Sequence, residues 1–145
     1  MNTVATDWKK QLKGLYLNYL QREHPDFFRM SGGYGMKTRS YNDATANGLT
    51  KAILDYFKFT SGFAERINCM GTVRKINGKP IWTKSNGTRG TADIAATWIN
   101  DNQKKITWKI EIKIDRDQQS AAQKRYQQWV EAVGDMYDAI GCFAD

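Results

Sequence analysis

Histidine is nearly missing from this chain. There is one in 145 residues, His24, in the stretch REHPDFF just ahead of Pro25. A lone imidazole beside a proline reads as surface, and it leaves no histidine for a metal cluster and a poor basis for a histidine-driven triad. Cysteine is also sparse: Cys69 and Cys142 lie far apart, with no C-x-x-C pair and no histidine neighbour. That spacing excludes a zinc ribbon and leaves buried reduced thiols as the plain reading. No apolar run is long enough to cross a bilayer, and the opening MNTVATDWKKQLKG lacks the apolar core of a signal peptide. The expectation is a cytoplasmic protein with no membrane partner.

Acidic residues are in deficit, 15 against 22 lysines and arginines, for a formal charge of +7. A basic chain with ordinary apolar content and many aromatics is drawn to phosphate polymers, so nucleic acid is the expected partner. The length suits a single compact domain with a real core, and there is no internal repeat.

Along the chain, DWKKQLKGLYLNYLQREH spaces Trp8, Leu12, Leu15, Leu17 and Leu20 as one face of a helix, with Asp7 placed to cap it and Pro25 to end it. The glycine-rich stretch MSGGYGMKTRSYNDATANG, with Tyr34, Lys37, Arg39 and Tyr41, reads as a connector or as a loop closing over a polyanion. Residues 1–44 thus form an N-terminal helix and connector, and residues 45–145 form a core. In the core, NGLTKAILDYFKF places Leu49, Ile53, Leu54 and Phe57 on one helical face, with Lys51, Asp55 and Lys58 elsewhere.

FAERINCMGTVRKI predicts one strand carrying Arg66 and Asn68, and NGKPIWTKSNGTRG a short strand between two Asn-Gly turns. SAAQKRYQQWVEAVG predicts a helix with Ala122, Tyr126, Trp129, Val130 and Val133 inward and Gly134 as its stop. MYDAIGCF closes the chain as an apolar strand. The sum is an α/β fold, a small mixed β-sheet flanked by helices.

TADIAATWI and KITWKIEIKI, separated by NDNQK, predict a hairpin. Centring its turn on Asn102 pairs Ile94 with Ile110, Ala96 with Trp108 and Trp98 with Ile106, all apolar and all on one face. On the other face Asp93 falls opposite Glu111, with Lys113 two residues on. Opposed carboxylates repel, and a divalent cation such as Mg2+ would relieve them. The carbonyl of Ile112 lies close enough to join, and Lys113 would stabilise developing negative charge. The plain alternative is a solvated face on which Lys105, Lys109, Glu111 and Lys113 pair weakly.

With these residues in view, GTADI (90–94), EIK (111–113) and DRDQQSAAQKRYQQWVEAVG (115–134) resemble the VRR-NUC branch of the PD-(D/E)XK nucleases, in its phage and bacterial members. ANGLTKAILDYF (46–57) and FAERIN (63–68) match the same pattern, while residues 1–44 fall outside it. The resemblance implies a restriction-endonuclease-like core, dependence on Mg2+ or Mn2+, and DNA cleavage leaving a 5′ phosphate and a 3′ hydroxyl. It makes Asp93 and Glu111 metal ligands, Lys113 the catalytic lysine and Gln123 a glutamine near the site, and it brings Arg66 and Asn68 close. Many relatives carry an acid early in the first core helix, where this chain reads Asn47-Gly48-Leu49-Thr50, so one metal site is expected.

Gln123 also completes a capping box with Ser120, which explains it without catalysis. Arg74, Lys84, Arg89 and Arg116 are phosphate-contact candidates by charge alone. Trp98, Trp108 and Trp129 fall on predicted apolar faces, whereas Trp82 lies in a turn-rich segment and is expected to be exposed. The leading expectation is a metal-dependent endonuclease that reads DNA shape, such as a branch, flap or junction. Its rivals are a noncatalytic nucleic-acid-binding protein and a homodimeric junction resolvase.

Overall fold

The structure is a computed structural model and describes residues 7–31, 39–67, 71–84 and 87–143. Its elements in order are α1 (Asp7–Glu23), α2 (Pro25–Ser31), α3 (Ala46–Phe59), β1 (Phe63–Arg66), β2 (Thr72–Ile76), β3 (Lys79–Thr83), β4 (Ile94–Ile99), β5 (Lys105–Ile112), α4 (Ala121–Ala132) and β6 (Met136–Ile140). Four strands form one sheet in the order β1-β4-β5-β6, and β2 and β3 form a separate two-stranded ribbon. The β1–β4 and β4–β5 pairs are antiparallel and β5–β6 is parallel, so the sheet is mixed.

The hairpin register is the one the apolar pattern demanded: Ile94 opposite Ile110, Ala96 opposite Trp108, Trp98 opposite Ile106. That face carries the main core, where Leu49, Ile53 and Phe57 of α3 pack on Ile94, Ala96, Ile110, Ile112 and Ile140. Trp98 and Trp108 extend it, half-buried, with their ring centroids 6.1 Å apart. A second cluster joins Trp8 and Leu12 of α1 to Ala52 and Phe59 of α3. Thr45 caps α3, its hydroxyl accepting the Gly48 amide. Leu17 falls off the α1 core face and is partly exposed. The capping expected of Asp7 concerns a side chain outside the described residues.

Pro25 closes α1 as expected and also opens α2, because its missing N–H and fixed φ suit the first turn of a helix. The single strand expected over residues 63–76 is instead two. Phe63–Arg66 pairs with β4, while Thr72–Ile76 turns through Asn77-Gly78 to pair with β3. A two-residue turn with both residues at positive φ closes a hairpin at little entropic cost, so local pairing prevails over one long strand.

The expected inward face of α4 is narrower than its sequence suggests. Val130 is buried with Ala92 and Tyr137, and Tyr126 packs beside them. Trp129 is 61 % exposed and Val133 78 %, so both are corrected to surface residues. The apolar side of the helix packs on β6 and the segment around Ala92, with no wall for a second apolar row among the described residues, and Val133 is already the C-cap. Gly134, at φ 87°, then stops the helix: its N–H donates to the Glu131 carbonyl and that of Asp135 to Val130. Cys142 is half-buried and in no disulfide among the described residues, and Cys69 lies outside them. Among the described residues no helix is long and apolar enough to cross a membrane.

Candidate active site

Four segments meet where β5 ends. The strand delivers Glu111 to the face opposite the α3 core, and the chain stays extended one residue further because the Lys113 amide donates to the Ile140 carbonyl at 2.9 Å. Lys113 therefore projects on the same side as Glu111. Asp93 stands just before β4 and links the neighbouring strands. Its carbonyl accepts the Ile67 amide at 2.7 Å, and its carboxylate Oδ2 accepts the Ile112 amide at 2.8 Å. An extended residue points its N–H and C=O to the same edge, so the Ile112 carbonyl is also directed toward the Asp93 side.

The fourth segment is the start of α4. Ser120 Oγ accepts the Gln123 amide at 3.3 Å and Gln123 Oε1 accepts the Ser120 amide at 2.8 Å, a complete capping box. The same Gln123 side chain donates through Nε2 to Glu111 Oε1 and accepts from Lys113 Nζ at 3.3 Å. The amide that caps α4 thus also holds Glu111 and Lys113. The loop before β4 packs on the start of α4 at Gly90, whose φ is +81° and where a β-carbon would come within 2.4 Å of the Ala122 backbone. No other residue lets this loop lie so close to the first turn of the helix.

Glu111 is 3 % exposed, which overturns the plain expectation of a solvated side chain. Its Oε1 takes Lys113 Nζ at 3.2 Å as well as the Gln123 amide, while Oε2 is buried with no hydrogen-bond partner among the described residues. Burial, reinforced by the Asp93 charge, pushes the Glu111 carboxyl above its ordinary value. Burial acts to lower the Lys113 ammonium, but its contacts with Glu111 and with Asp117, at 3.3 Å, outweigh this and hold it above the usual lysine value. Lys113 therefore stays charged at neutral pH.

A buried carboxylate with a strained protonation equilibrium, a second carboxylate beside it and a spare oxygen is chemically suited to a divalent cation. Among the described residues no group of three or more His, Cys, Asp or Glu is gathered for a metal. Mg2+ does not need one, since it is held by one or two carboxylates and completes its shell with water and phosphate oxygens. The residues present fit such an ion, with Asp93, Glu111 and the Ile112 carbonyl as the protein donors.

The remaining candidates are scattered. Arg66 pairs in register with Ile94, on the α3 face, and its guanidinium donates to Asn47 Oδ1 at 3.1 Å. The first turn of α3 thus carries an amide, Asn47, held by an arginine. Asp55, further along α3, is bound by Arg39 and Tyr41. Asn68 lies outside the described residues, as do Tyr34 and Lys37 of the connector. Arg74 is exposed on β2, Lys84 and Arg89 are exposed along one cleft that also reaches Gln123, and Arg116 is exposed in the turn after β5.

Sequence reasoning missed Asp117 as the second partner of Lys113 and missed the Asn47–Arg66 bond. The first had a signal, a lysine followed four residues later by an acid across a turn. The second had none. Comparison of the chain with protein-family models, with curated proteins and with solved structures found no match.

Proposed function

We propose that this chain is a metal-dependent DNA endonuclease of the VRR-NUC type, within the PD-(D/E)XK nucleases, that hydrolyses phosphodiester bonds in branched, flapped or junction DNA. The observation that carries this reading is Glu111: a fully buried carboxylate with one unpartnered oxygen, beside Asp93 and in contact with Lys113. A soluble domain gains nothing in stability from such a group, because an unsatisfied buried charge costs free energy. A ligand that takes up the spare oxygen resolves the cost.

Asp93 and Glu111, with the Ile112 carbonyl, would hold Mg2+ or Mn2+, which when bound polarises the scissile phosphate and eases deprotonation of an attacking water. Lys113 is placed to stabilise the charge that grows on the phosphate oxygens, in a setting where its ammonium cannot easily lose its proton. Gln123 fixes both partners, holding Glu111 through its amide N–H and Lys113 through its carbonyl. With Asn47 in place of an early acid and already engaged by Arg66, the donors present support one cation.

The test is incubation of the protein with labelled single-stranded, duplex, flapped and four-way-junction DNA in Mg2+, Mn2+ and EDTA, beside Glu111→Ala. Metal-dependent cleavage that the variant lacks is expected. Cutting by Glu111→Ala at the wild-type rate in Mg2+ would sink the assignment, and binding without cutting under either metal would establish the noncatalytic alternative.

A further inference from the structure

The charge of this molecule is concentrated in one segment. Between Glu65 and Asp93 the sequence holds six lysines and arginines and no acid, while the sixteen elsewhere are almost balanced by the fifteen acids. Five of the six, all but Arg66 of β1, sit on the stretch that forms the β2–β3 ribbon and the loop returning from it. Every residue of both strands is exposed, and the two strands pack chiefly on each other. The ribbon adds no core.

Cross-strand register sorts its side chains. Val73 lies opposite Trp82 and Lys75 opposite Pro80 on one face, with Arg74 and Lys79 on the other. Both faces carry cations, so neither is an unmet core surface. Trp82 stands at the foot of the ribbon, 63 % exposed, over Gly71, where a β-carbon would come within 2.5 Å of the indole ring. From there a cleft of about 410 Å3 runs past Lys84 and Arg89 to Ser120 and Gln123. Gln123 is the residue that holds Glu111, so the cleft opens onto the candidate active site.

We propose that the β2–β3 ribbon is a DNA-gripping arm. Its cations hold phosphates, Trp82 stacks on a base exposed where a strand leaves the duplex, and the cleft leads that strand's backbone to Glu111 and Lys113. Aromatic stacking with flanking cations is the recurrent chemistry for unpaired bases, and it needs no sequence reading. The inference rests on DNA being the substrate but not on cleavage.

The experiment is fluorescence anisotropy of labelled blunt duplex, single strand and flapped duplex in EDTA, so that binding is read without cutting. Trp82→Ala is expected to weaken binding to single-stranded and flapped DNA by roughly 5- to 150-fold while leaving blunt duplex within about twofold, and Trp82→Phe to recover most of the loss. Joint replacement of Arg74, Lys75 and Lys79 by Gln is expected to lower the salt-dependence slope by about 2 to 3. All four side chains are exposed, so the fold does not depend on them. Equal binding of flapped DNA by Trp82→Ala and wild type, or an unchanged slope, would overturn the arm. Trp82-dependent binding without cleavage in Mg2+ would leave the arm standing and remove the nuclease.

Discussion

Asp55 and Glu111 are the two carboxylates buried among the described residues, and their surroundings differ in one respect that separates structure from chemistry. Asp55, on α3, has both oxygens occupied: Arg39 donates to each, at 2.9 and 2.8 Å, and the Tyr41 hydroxyl donates to one at 2.9 Å. The guanidinium in turn lies over the rings of Tyr16 and Phe59. This cluster ties the segment before α3 to α1 and leaves nothing open. Glu111 has its donors crowded onto one oxygen and none on the other. A buried charge that is fully paired is part of the scaffold, and under the proposed function the half-paired one is the one that takes a ligand.

Substitution should affect the two in opposite ways. Glu111→Gln is expected to lower single-turnover cleavage by at least ~10^3-fold, yet to leave the metal-free melting temperature equal to wild type or higher. Asp55→Asn is expected to cost about 2 kcal/mol, a fall of roughly 4–8 °C, with cleavage per folded molecule within about twofold of wild type. A Glu111→Gln protein that melts well below wild type would place Glu111 in the scaffold and erase the distinction.

Metal sharpens it further. Mg2+ at a hundred times its dissociation constant should stabilise the wild type by about 2.7 kcal/mol, and neither Glu111→Gln nor Asp93→Asn should respond, as read by thermal melts across a Mg2+ titration. Asp55→Asn should retain the full increment.

The pH dependence follows from the raised Glu111 value. A group whose folded pKa lies above its unfolded one contributes stability below the unfolded value and loses it as pH rises through the folded value. Metal-free wild type should therefore melt lower than Glu111→Gln at neutral pH, with the gap closing as pH falls through the Glu111 range. A gap that widens toward acid would reverse the assigned cause.

The smallest effect divides Gln123. Ser120→Ala removes the cap and should cost about 1 kcal/mol without touching the amide that holds Glu111, so cleavage per folded molecule is retained. Gln123→Ala should lose the same stability and in addition roughly 10- to 100-fold in cleavage. Equal activity of the two variants would make Gln123 a cap alone.

Much of this arrangement was legible beforehand. The β4–β5 register could be read from alternation because a one-residue slip would have turned Ile94, Ala96 and Ile110 away from α3. The juxtaposition of Asp93 with Glu111 and Lys113 followed from that register. The capping box was legible because it is local, spanning three residues. Less legible was the exposure of Trp129, since helical spacing marks an apolar face but not whether a wall stands opposite it. The division of residues 63–76 between two sheets was hidden because strand propensity does not say which partner closes first.

The sequence by itself determined most of the elements, the hairpin register and the basic charge, since each depends on spacing or composition along the chain. Only the tertiary structure decided that Glu111 is buried with a free oxygen, that Gln123 reaches it, that Asp55 is satisfied by Arg39 and Tyr41, and that the basic ribbon stands apart above the cleft. Those outcomes depend on which faces meet across long sequence separations, and burial and hydrogen-bond satisfaction are properties of the meeting, not of the residue.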